Sequence, residues 1–320
     1  MMDWTDRHCR YFHRLLTRRA LLYTEMVTTG ALLHGDVPRH LRFNNEEHPV
    51  ALQLGGSEPA ELAQCARLGH EWGYDEINLN CGCPSERVQR GSFGACLMAE
   101  PALVADCVKA MQDAVSIPVT VKHRIGIDRG ENYAFVRDFV GALCSVGCKV
   151  FIVHARNAWL KGLSPKENRE VPPLRYAFVH QLQQDFPDAS FVINGGITTS
   201  AQVAEQLQSV GGVMLGREAY HNPWWLASWD AGFWGDAQSP VTREEVEQHM
   251  CDYMAREKAQ HGTAWPSIAR HMLGVRHGLP GARLWRQVWS NHALRELPAH
   301  RVKELAHAPA RRIEPLTLHA

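Results

Sequence analysis

The sequence predicts an α/β fold built on a parallel β-sheet, followed by a smaller helical domain. Short apolar runs rich in β-branched residues recur through the first two thirds of the 320-residue chain. Stretches with apolar residues three and four positions apart separate these runs. This alternation is typical of βα units, in which parallel strands are buried on both faces. Beyond about residue 236 the strand patterns stop and the sequence becomes helical.

Seven strands are predicted, and each ends near a glycine or a polar residue. They are the runs LLYTEMV, VALQLGG, EINLNCG, IPVTVKHR, VFIVHAR, SFVINGG and GGVMLGR, which begin at residues 21, 50, 76, 117, 150, 190 and 211. Seven is one short of a closed (β/α)8 TIM barrel, in which chemistry takes place at the carboxyl ends of the strands. A doubly wound open sheet is the alternative, but no GxGxxG motif follows the first strand. We therefore predict the barrel, with its first strand missing from this sequence.

Helices are predicted between the strands and beyond them. EPAELAQCARLGHEWG and EPALVADCVKAMQDAV have helical apolar spacing. In TREEVEQHMCDYMAREKAQ, Thr242 is the expected N-cap and Glu245 its capping-box partner. The loop around DAQSP separates the two predicted domains, a TIM-barrel domain over residues 1–236 and a helical domain over residues 237–320.

Composition and charge narrow the possible functions. The chain is 45% hydrophobic and 21% charged, which is typical of a soluble globular protein. We find no secretion signal and no apolar run of about 18 residues, so we expect a cytoplasmic protein without a membrane partner. The nine cysteines should be reduced thiols, because an odd number without a secretion signal does not indicate disulfides.

A basic segment stands out against a formal net charge of zero. Zero net charge does not favour nucleic-acid binding through bulk charge. Between Thr263 and Lys303, however, Glu296 is the single acidic residue against Arg270, Arg276, Arg283, Arg286, Arg295, Arg301 and Lys303. Such a cluster indicates a binding module for an acidic polymer, although a solvated helix face is the alternative for any one of these arginines.

Three cysteines, Cys81, Cys83 and Cys96, fall in the segment NLNCGCPSERVQRGSFGACLM. A structural zinc site usually needs four ligands, and the C-x-C pair has no second pair at zinc-finger spacing, so no metal site is predicted. Burial as small apolar residues is the alternative for all three. For Cys83 this is weaker, because Gly82 and Pro84 predict a tight turn that lifts its side chain over the barrel mouth.

Two glycine motifs end the last two strands, NGG at Asn194–Gly196 and LGR at Leu215–Arg217. Loops at these positions form the usual phosphate site of such barrels, although glycines also serve simple tight turns. Lys122 and His154 end two neighbouring strands. A lysine there is often a solvated cap, but beside a phosphate site it suggests a cofactor whose reduced form is anionic.

Nine segments in order along the chain closely resemble the A subfamily of bacterial tRNA-dihydrouridine synthases. The resemblance runs from Met1 to about Trp289, and the stretches SPKENRE and PGAR are those that indicate the subfamily. The segments are MMDWTDRHCR, YTEMVTTGA, EEHPVALQLGG, EINLNCGCPSERVQRGSFGACLM, VTVKHRIGID, HARNAWLKGLSPKENRE, INGGI, GVMLGREAYHNP and HMLGVRHGLPGARLW.

The resemblance implies an FMN-dependent enzyme that reduces uridine to 5,6-dihydrouridine in the tRNA D-loop, at positions 20 and 20a, with NADPH as the reductant. It implies that Cys83 is the general acid that protonates C5 of the uracil ring, a role suited to a thiol that is protonated at neutral pH. The implied FMN-binding residues are Met1, Gln53, Lys122, His154, Asn194, Gly195, Gly196, Gly216 and Arg217. The implied tRNA-binding residues are Asn80, Lys166, Arg169, Arg283 and Arg286.

Three expectations complete the sequence-based picture. We expect a monomer with tRNA as partner. In the family, a strand ending in Ala-Pro-Met leads into the segment matched by Met1 to Arg10, so we expect the true start codon to lie upstream. The alternative functions are a flavin barrel that acts on a small molecule, which would not explain the basic segment, and a non-catalytic RNA-binding protein, which would not need Cys83.

Overall fold

A computed structural model describes residues 1–85, 88–89, 91–130, 132–236 and 241–308. The chain forms two compact units, of which the first comprises Met1–Thr5 and Leu21–Glu218. The second comprises Asp6–Ala20 and Ala219–Ala320. This division differs from the predicted boundary after residue 236, because residues 6–20 and 219–236 group with the C-terminal helices. The predicted linker falls largely on residues 237–240, which lie outside the described residues.

Seven parallel strands form the sheet of the first unit, and the predicted α/β class is confirmed. In the described chain, β1 and β7 each pair with a single neighbour, and the strand order follows the sequence. The strands are β1 (Leu22–Thr28), β2 (Val50–Gly55), β3 (Glu76–Cys81), β4 (Val119–Arg124), β5 (Val150–His154), β6 (Ser190–Asn194) and β7 (Gly212–Met214).

The central strands are buried almost completely, as their continuous apolar patterns predicted. Every residue of β2 and β3 is buried, and in β4 every residue except Lys122. Polar residues nevertheless recur at alternate positions of β3, at Glu76, Asn78 and Asn80. Alternate residues of a strand point to the same face, so these side chains form one polar row.

Helices connect the strands of the first unit and make up most of the second. Both helices predicted between the strands are present, and each begins with a proline, which suits the first helical turn. The helices are α1 (Arg7–Leu16), α2 (Thr29–His34), α3 (Val37–Leu41), α4 (Pro59–Glu71), α5 (Pro101–Ala114), α6 (Tyr133–Ser145), α7 (Tyr176–Asp185), α8 (Ser200–Gln206), α9 (Arg217–His221), α10 (Trp229–Trp234), α11 (Arg243–His261), α12 (Trp265–Ala269), α13 (Ala282–Trp289) and α14 (Ala299–Ala306).

Helix α4 packs directly on the sheet because Gly69 has no side chain. A Cβ atom at Gly69 would lie 2.7 Å from side-chain atoms of both Ile77 and Leu52. Such a contact is well below van der Waals separation, so glycine permits the close approach of helix and sheet. The longest helix, α11, begins with the predicted capping box, in which Thr242 and Glu245 bond each other reciprocally. No helix in the described ranges is long and apolar enough to cross a membrane.

A buried carboxylate, that of Glu247 on α11, organises the second unit. Its Oε1 accepts hydrogen bonds from the indole N–H groups of Trp285 (2.7 Å) and Trp289 (3.0 Å). Its Oε2 lies 2.7 Å from Nε2 of His307 and 3.6 Å from Nη2 of Arg276. Because α13 carries both tryptophans, this carboxylate fixes the position of α13 against α11.

We predict that Glu247→Ala lowers the free energy of unfolding by about 3–5 kcal/mol, because two buried indole donors and two basic groups lose their common partner. Glu244→Ala is the matched control, since Glu244 bonds Arg276 from an exposed position on the same helix. The control should cost less than about 1 kcal/mol. Urea titrations followed by tryptophan fluorescence measure both values, and equal losses would contradict the role given to Glu247.

Candidate active site

A chain of hydrogen bonds joins the polar row of β3 to its neighbouring strands. Asn80 Nδ2 donates to Gln53 Oε1 at 2.8 Å, and Gln53 Nε2 donates to Asn78 Oδ1 at 2.8 Å. Asn78 Nδ2 then donates to Thr120 Oγ1 at 2.8 Å, and that hydroxyl donates to Glu76 Oε1 at 2.6 Å. Each amide therefore accepts from one member of the chain and donates to the next.

The two ends of this chain differ in chemical character. At one end, the Glu76 carboxylate also accepts from the hydroxyl of Tyr23 at 2.6 Å, and burial raises the pKa of Glu76. At the other end, Asn80 Oδ1 accepts the backbone N–H groups of Gly82 (3.1 Å) and Cys83 (3.0 Å). The loop that carries Cys83 is thus held to the end of β3 by a side chain of that strand.

Cys83 differs in environment from the two cysteines near it. Cys81 is fully buried, and burial raises the pKa of its thiol well above the usual value. Burial also raises the pKa of Cys96, whose Sγ lies 3.1 Å from the carbonyl oxygen of Phe93. Cys83 is half-buried, and its backbone bonds Asn80 on one side and Ala95 N, at 3.0 Å, on the other. Cys83 and Cys96 are both half-buried, and of the three cysteines only Cys83 lies in the loop directly after the end of β3.

Lys122 reaches from β4 to the end of β6. Its Nζ donates to Asn194 Oδ1 at 3.3 Å, and Asn194 Nδ2 donates to the carbonyl oxygen of Met214 at 2.8 Å. Lys122 is paired in register with Asn80 on β3, so the lysine lies beside the strand that leads to Cys83. Burial lowers the pKa of Lys122 to about 8, and Arg124 lowers it further in the same direction. The lysine remains mostly cationic at neutral pH.

His154 is a neutral imidazole among cations. Burial lowers its pKa well below the usual value, and Arg124 and Lys122 add to the effect. On β5 it is paired in register with Arg124 on one side and Asn194 on the other. A Cβ atom at Gly195 would lie 2.7 Å from Cδ2 of His154, and the φ of Gly195 is +114°. Glycine at 195 therefore leaves room for the ring.

Glycines stand in both predicted phosphate loops, and at Gly196 a side chain would not fit. Gly196 has a φ of +73°, and a Cβ atom there would lie 2.5 Å from Leu174. For Gly216 the nearest atom to such a Cβ is Met1 Sδ at 3.6 Å, so Met1 lies beside the second loop. Backbone N–H groups without a shielding side chain can approach an anion closely.

Arg217 already has an anionic partner. Its Nη1 lies 2.5 Å from Oε1 of Glu170, and its Nη2 donates to the carbonyl oxygen of Arg169 at 3.4 Å. Lys166 is the N-cap of the short 3₁₀ helix Glu167–Arg169, Arg169 is its last residue, and both are exposed. Arg217 and Arg169 are therefore brought together, and Arg169 N donates to the carbonyl oxygen of Lys166 at 3.0 Å.

Arg124 was not identified from the sequence, although it connects the loops of this site. It is buried, and burial lowers its pKa to about 10, so it remains cationic at neutral pH. Its Nε donates to the carbonyl oxygen of Gly82, and its Nη1 donates to those of Asn157 and Asn168, each at 2.9 Å. Its position as the last residue of the predicted strand IPVTVKHR was the available indication of a role in the site.

Asn168 was also missed, and it folds the loop that follows β5. Its side chain is fully buried, its Oδ1 accepts the N–H of Trp159 at 2.8 Å, and its Nδ2 donates to the Trp159 carbonyl at 2.9 Å. These bonds close residues 159–168 into a compact loop. In the sequence, Asn168 is recognisable only as an amide residue within the charged run SPKENRE.

The electrostatic character of the site is cationic. Lys122, Arg124, Arg156 and Arg169 all lower the pKa of His154, so their charges lie near one another. Such a site favours an anionic ligand. The glycine loops, the half-buried lysine and the neutral histidine fit a flavin mononucleotide, which carries a phosphate and becomes anionic on reduction. Within the described ranges, no group of three or more His, Cys, Asp or Glu residues could hold a metal ion.

In the second unit, Arg283 and Arg286 lie one turn apart on α13 and are exposed. No hydrogen bond or ion pair joins either side chain to another described residue, so both guanidinium groups are available to a ligand. Other members of the basic segment have partners: Arg270 with Asp6, Arg276 with Glu244, Arg295 with Glu296, Arg301 with Glu304 and Lys303 with Gln248.

Sequence comparisons give a consistent result. The family model for dihydrouridine synthases matches residues 1–310. A tRNA-dihydrouridine(20/20a) synthase of Pseudomonas aeruginosa is 61% identical over 290 residues, which cover 91% of this chain and 87% of that protein. The protein of the same name from Escherichia coli K12 is 58% identical over 294 residues, which cover 92% of this chain and 85% of that protein.

Comparisons with solved structures support the predicted barrel architecture. Morphinone reductase superposes with a TM-score of 0.50 at 13% identity, covering 77% of this chain and 85% of that one. A 2-naphthoyl-CoA reductase superposes with a TM-score of 0.53 at 10% identity, covering 72% of this chain and 47% of that one. Identities this low show a shared fold alone.

The shifted pKa of Lys122 makes stability depend on pH. Between about pH 8 and pH 10.5 the unfolded chain, with an unperturbed lysine, binds more protons than the folded chain. The contribution of Lys122 to the free energy of unfolding should therefore rise with pH across this window, by up to ~3 kcal/mol, against the opposite contribution of the buried cysteines, whose pKa values are raised. We expect Lys122→Met to remove this rise and the exposed control Lys149→Met to retain it. Urea titrations of cofactor-free protein from pH 7 to pH 10.5 measure the slope, and parallel profiles for all three proteins would contradict the assignment.

Proposed function

We propose, since this chain belongs to the dihydrouridine synthase family, that it reduces uridine to 5,6-dihydrouridine in tRNA. The observation that carries the proposal is the placement of Cys83, a partly accessible thiol whose loop is held by Asn80 at the strand ends. The names of the close relatives support the D-loop positions 20 and 20a as targets. We further propose that the protein acts as a cytoplasmic monomer.

The cofactor we propose is FMN, with NADPH as the reductant. When bound, FMN would supply the hydride that is added to C6 of the uracil ring. Lys122 would place its cation beside the ring atoms that become anionic on reduction, and Gln53 would hydrogen-bond the ring. The phosphate would be held by residues of the loops after β6 and β7, together with Met1: Asn194, Gly195, Gly196, Gly216 and Arg217.

Cys83 would complete the reduction as a general acid. Addition of hydride at C6 breaks the C5–C6 π bond and leaves the electron pair on C5, delocalised toward the neighbouring carbonyl oxygen. The thiol of Cys83 gives its proton to C5, and solvent restores the proton to the thiolate. Overall, uridine, NADPH and one proton yield dihydrouridine and NADP⁺. The neutral His154 can donate or accept a hydrogen bond beside the base without adding charge.

The side-chain amides of Gln53 and Asn80 would orient the flavin ring and the uracil ring. Gln53 and Asn80 each use one of their two amide protons within the chain, which leaves the other for a ligand. Both side chains are fixed by their neighbours in the chain, so little rotamer entropy remains to be lost on binding. Asn80 would in this way contact the RNA while it holds the Cys83 loop.

The C-terminal helices of the second unit would bind the tRNA, and the first unit would bind FMN. A uridine must leave its stack to reach a reactive site, at a cost of a few kcal/mol. Contacts to RNA phosphates can offset this cost. Arg283 and Arg286 are suited to such contacts because they have no partner among the described residues, and Lys166 and Arg169 are exposed on the first unit.

We predict that Cys83→Ala retains FMN and NADPH oxidation while dihydrouridine formation falls by about 10²- to 10⁴-fold, the range for a lost general acid. The matched controls are Cys81→Ala and Cys96→Ala, which should leave the rate within about threefold of wild type. Single-turnover assays on an unmodified tRNA transcript measure the rate. Equal losses for all three variants would contradict the role of Cys83, and equal turnover of free uridine would favour a small-molecule enzyme.

We predict that the double variant Arg283→Ala, Arg286→Ala binds tRNA more weakly and with a salt dependence lower by about two units of slope, because two phosphate contacts are lost. The matched control is Arg295→Ala with Arg301→Ala, which removes two exposed arginines that have carboxylate partners. FMN content should be the same in both. Indistinguishable tRNA affinities of the two double variants at low and moderate salt would show that α13 is only a solvated face.

A further inference from the structure

A cavity of about 200 Å³ lies in the first unit, beyond the carboxyl ends of β4 and β5. It is separate from the residues assigned so far to FMN and to the reacting base. Its walls come from the segment after β4, the loop after β5 and the segment before α7: Ile125, Arg129, Asn157, Trp159, Pro173 and Arg175.

The lining of the cavity combines one aromatic plane with two permanent cations. The guanidinium carbon of Arg129 lies 4.7 Å from the ring centroid of Trp159, within cation–π range. Arg175 lines the same space, and no lining residue is acidic. An indole stacks on nucleobases, and a guanidinium bonds phosphate oxygens with a matching geometry. The lining therefore suits a nucleotide.

The cavity wall and the Cys83 loop are joined through one side chain. Arg124 Nη1 donates to the carbonyl oxygen of Asn157, a lining residue, and Arg124 Nε donates to the carbonyl oxygen of Gly82, next to Cys83. Trp159 is held at its own backbone by Asn168, which Arg124 also bonds. A ligand in the cavity would therefore contact a wall that is fixed relative to the proposed general acid.

We propose that this cavity binds one nucleotide of the tRNA, adjacent to the uridine that is reduced. The proposal rests on the proposed function, because a uridine turned out of its stack leaves its neighbours without stacking partners. The indole of Trp159 receives a base, and Arg129 and Arg175 face its phosphate. At about 200 Å³ the cavity has room for one base, with the phosphate near the two arginines at its wall, and not for a whole dinucleotide such as NADPH.

The test compares four variants for binding of an unmodified tRNA transcript. Trp159→Ala should weaken binding about tenfold, equivalent to ~1.4 kcal/mol, without changing the salt dependence, because stacking is uncharged. Trp159→Phe keeps an aromatic plane and should stay within about threefold of wild type. Arg129→Ala should weaken binding and lower the salt slope by about one unit. Arg137→Ala removes an exposed arginine paired with Asp138 in the same unit and should match wild type within about twofold.

Each outcome decides for or against nucleotide binding in the cavity. Melting temperatures establish which variants fold, and Arg129→Ala decides the question if Trp159→Ala does not fold. The proposal is overturned if Arg129→Ala and Trp159→Ala bind tRNA as Arg137→Ala does. It is also overturned if they raise the KM for NADPH while tRNA affinity is unchanged, because the cavity would then hold the nucleotide of the reductant. A wild-type protein that binds tRNA but forms no dihydrouridine would refute the proposed function, and the binding comparison would still decide the cavity.

Discussion

The buried guanidinium of Arg124 is the constraint on which the arrangement of the site depends. An arginine cannot lose its charge inside a protein, so its burial must be compensated by acceptors from the surrounding chain. Here the acceptors are three carbonyl oxygens, those of Gly82, Asn157 and Asn168. They belong to the loops after β3 and β5, which lie far apart in the sequence. The Arg124 side chain thereby fixes the Cys83 loop, the wall of the cavity lined by Trp159, and the loop that carries Arg169. Its charge also adds to the cationic character of the site.

The strands could be predicted from the sequence because strands buried on both faces leave a local mark, a continuous apolar run that ends in glycine or polar residues. The capping box of α11 is local in the same way. The extent of the two units could not be predicted, because it depends on contacts between distant residues. Helix α1 belongs with the C-terminal helices through the ion pair of Arg7 with Glu257, and Thr17 donates to Asp230 across 213 positions. The local sequences around Glu257 and Asp230 contain no pattern that predicts these contacts.

The same distinction applies to the site. Cys83, Lys122 and the glycine loops stand at strand ends, where position alone indicates exposure to a ligand. Three buried polar residues act through partners that are not their neighbours in the sequence: Arg124, Asn168 and Glu247. The local sequence around such a residue does not indicate which groups will bond it in the fold. Arg217 illustrates the intermediate case: its place at the end of a strand was predictable, but its ion pair with Glu170 was not.

The series of hydrogen bonds from the Cys83 loop to Glu76 also restricts which substitutions its members can accept. Its first members are backbone N–H groups, which can only donate, and a carboxylate stands at the other end as the acceptor. The amides between them satisfy both ends in a single orientation, so none can be turned over alone. An aspartate at Asn78, for example, would have no proton for Thr120 and would interrupt the chain at its centre. A substitution at one of these positions therefore leaves a donor or an acceptor of the next residue without its partner.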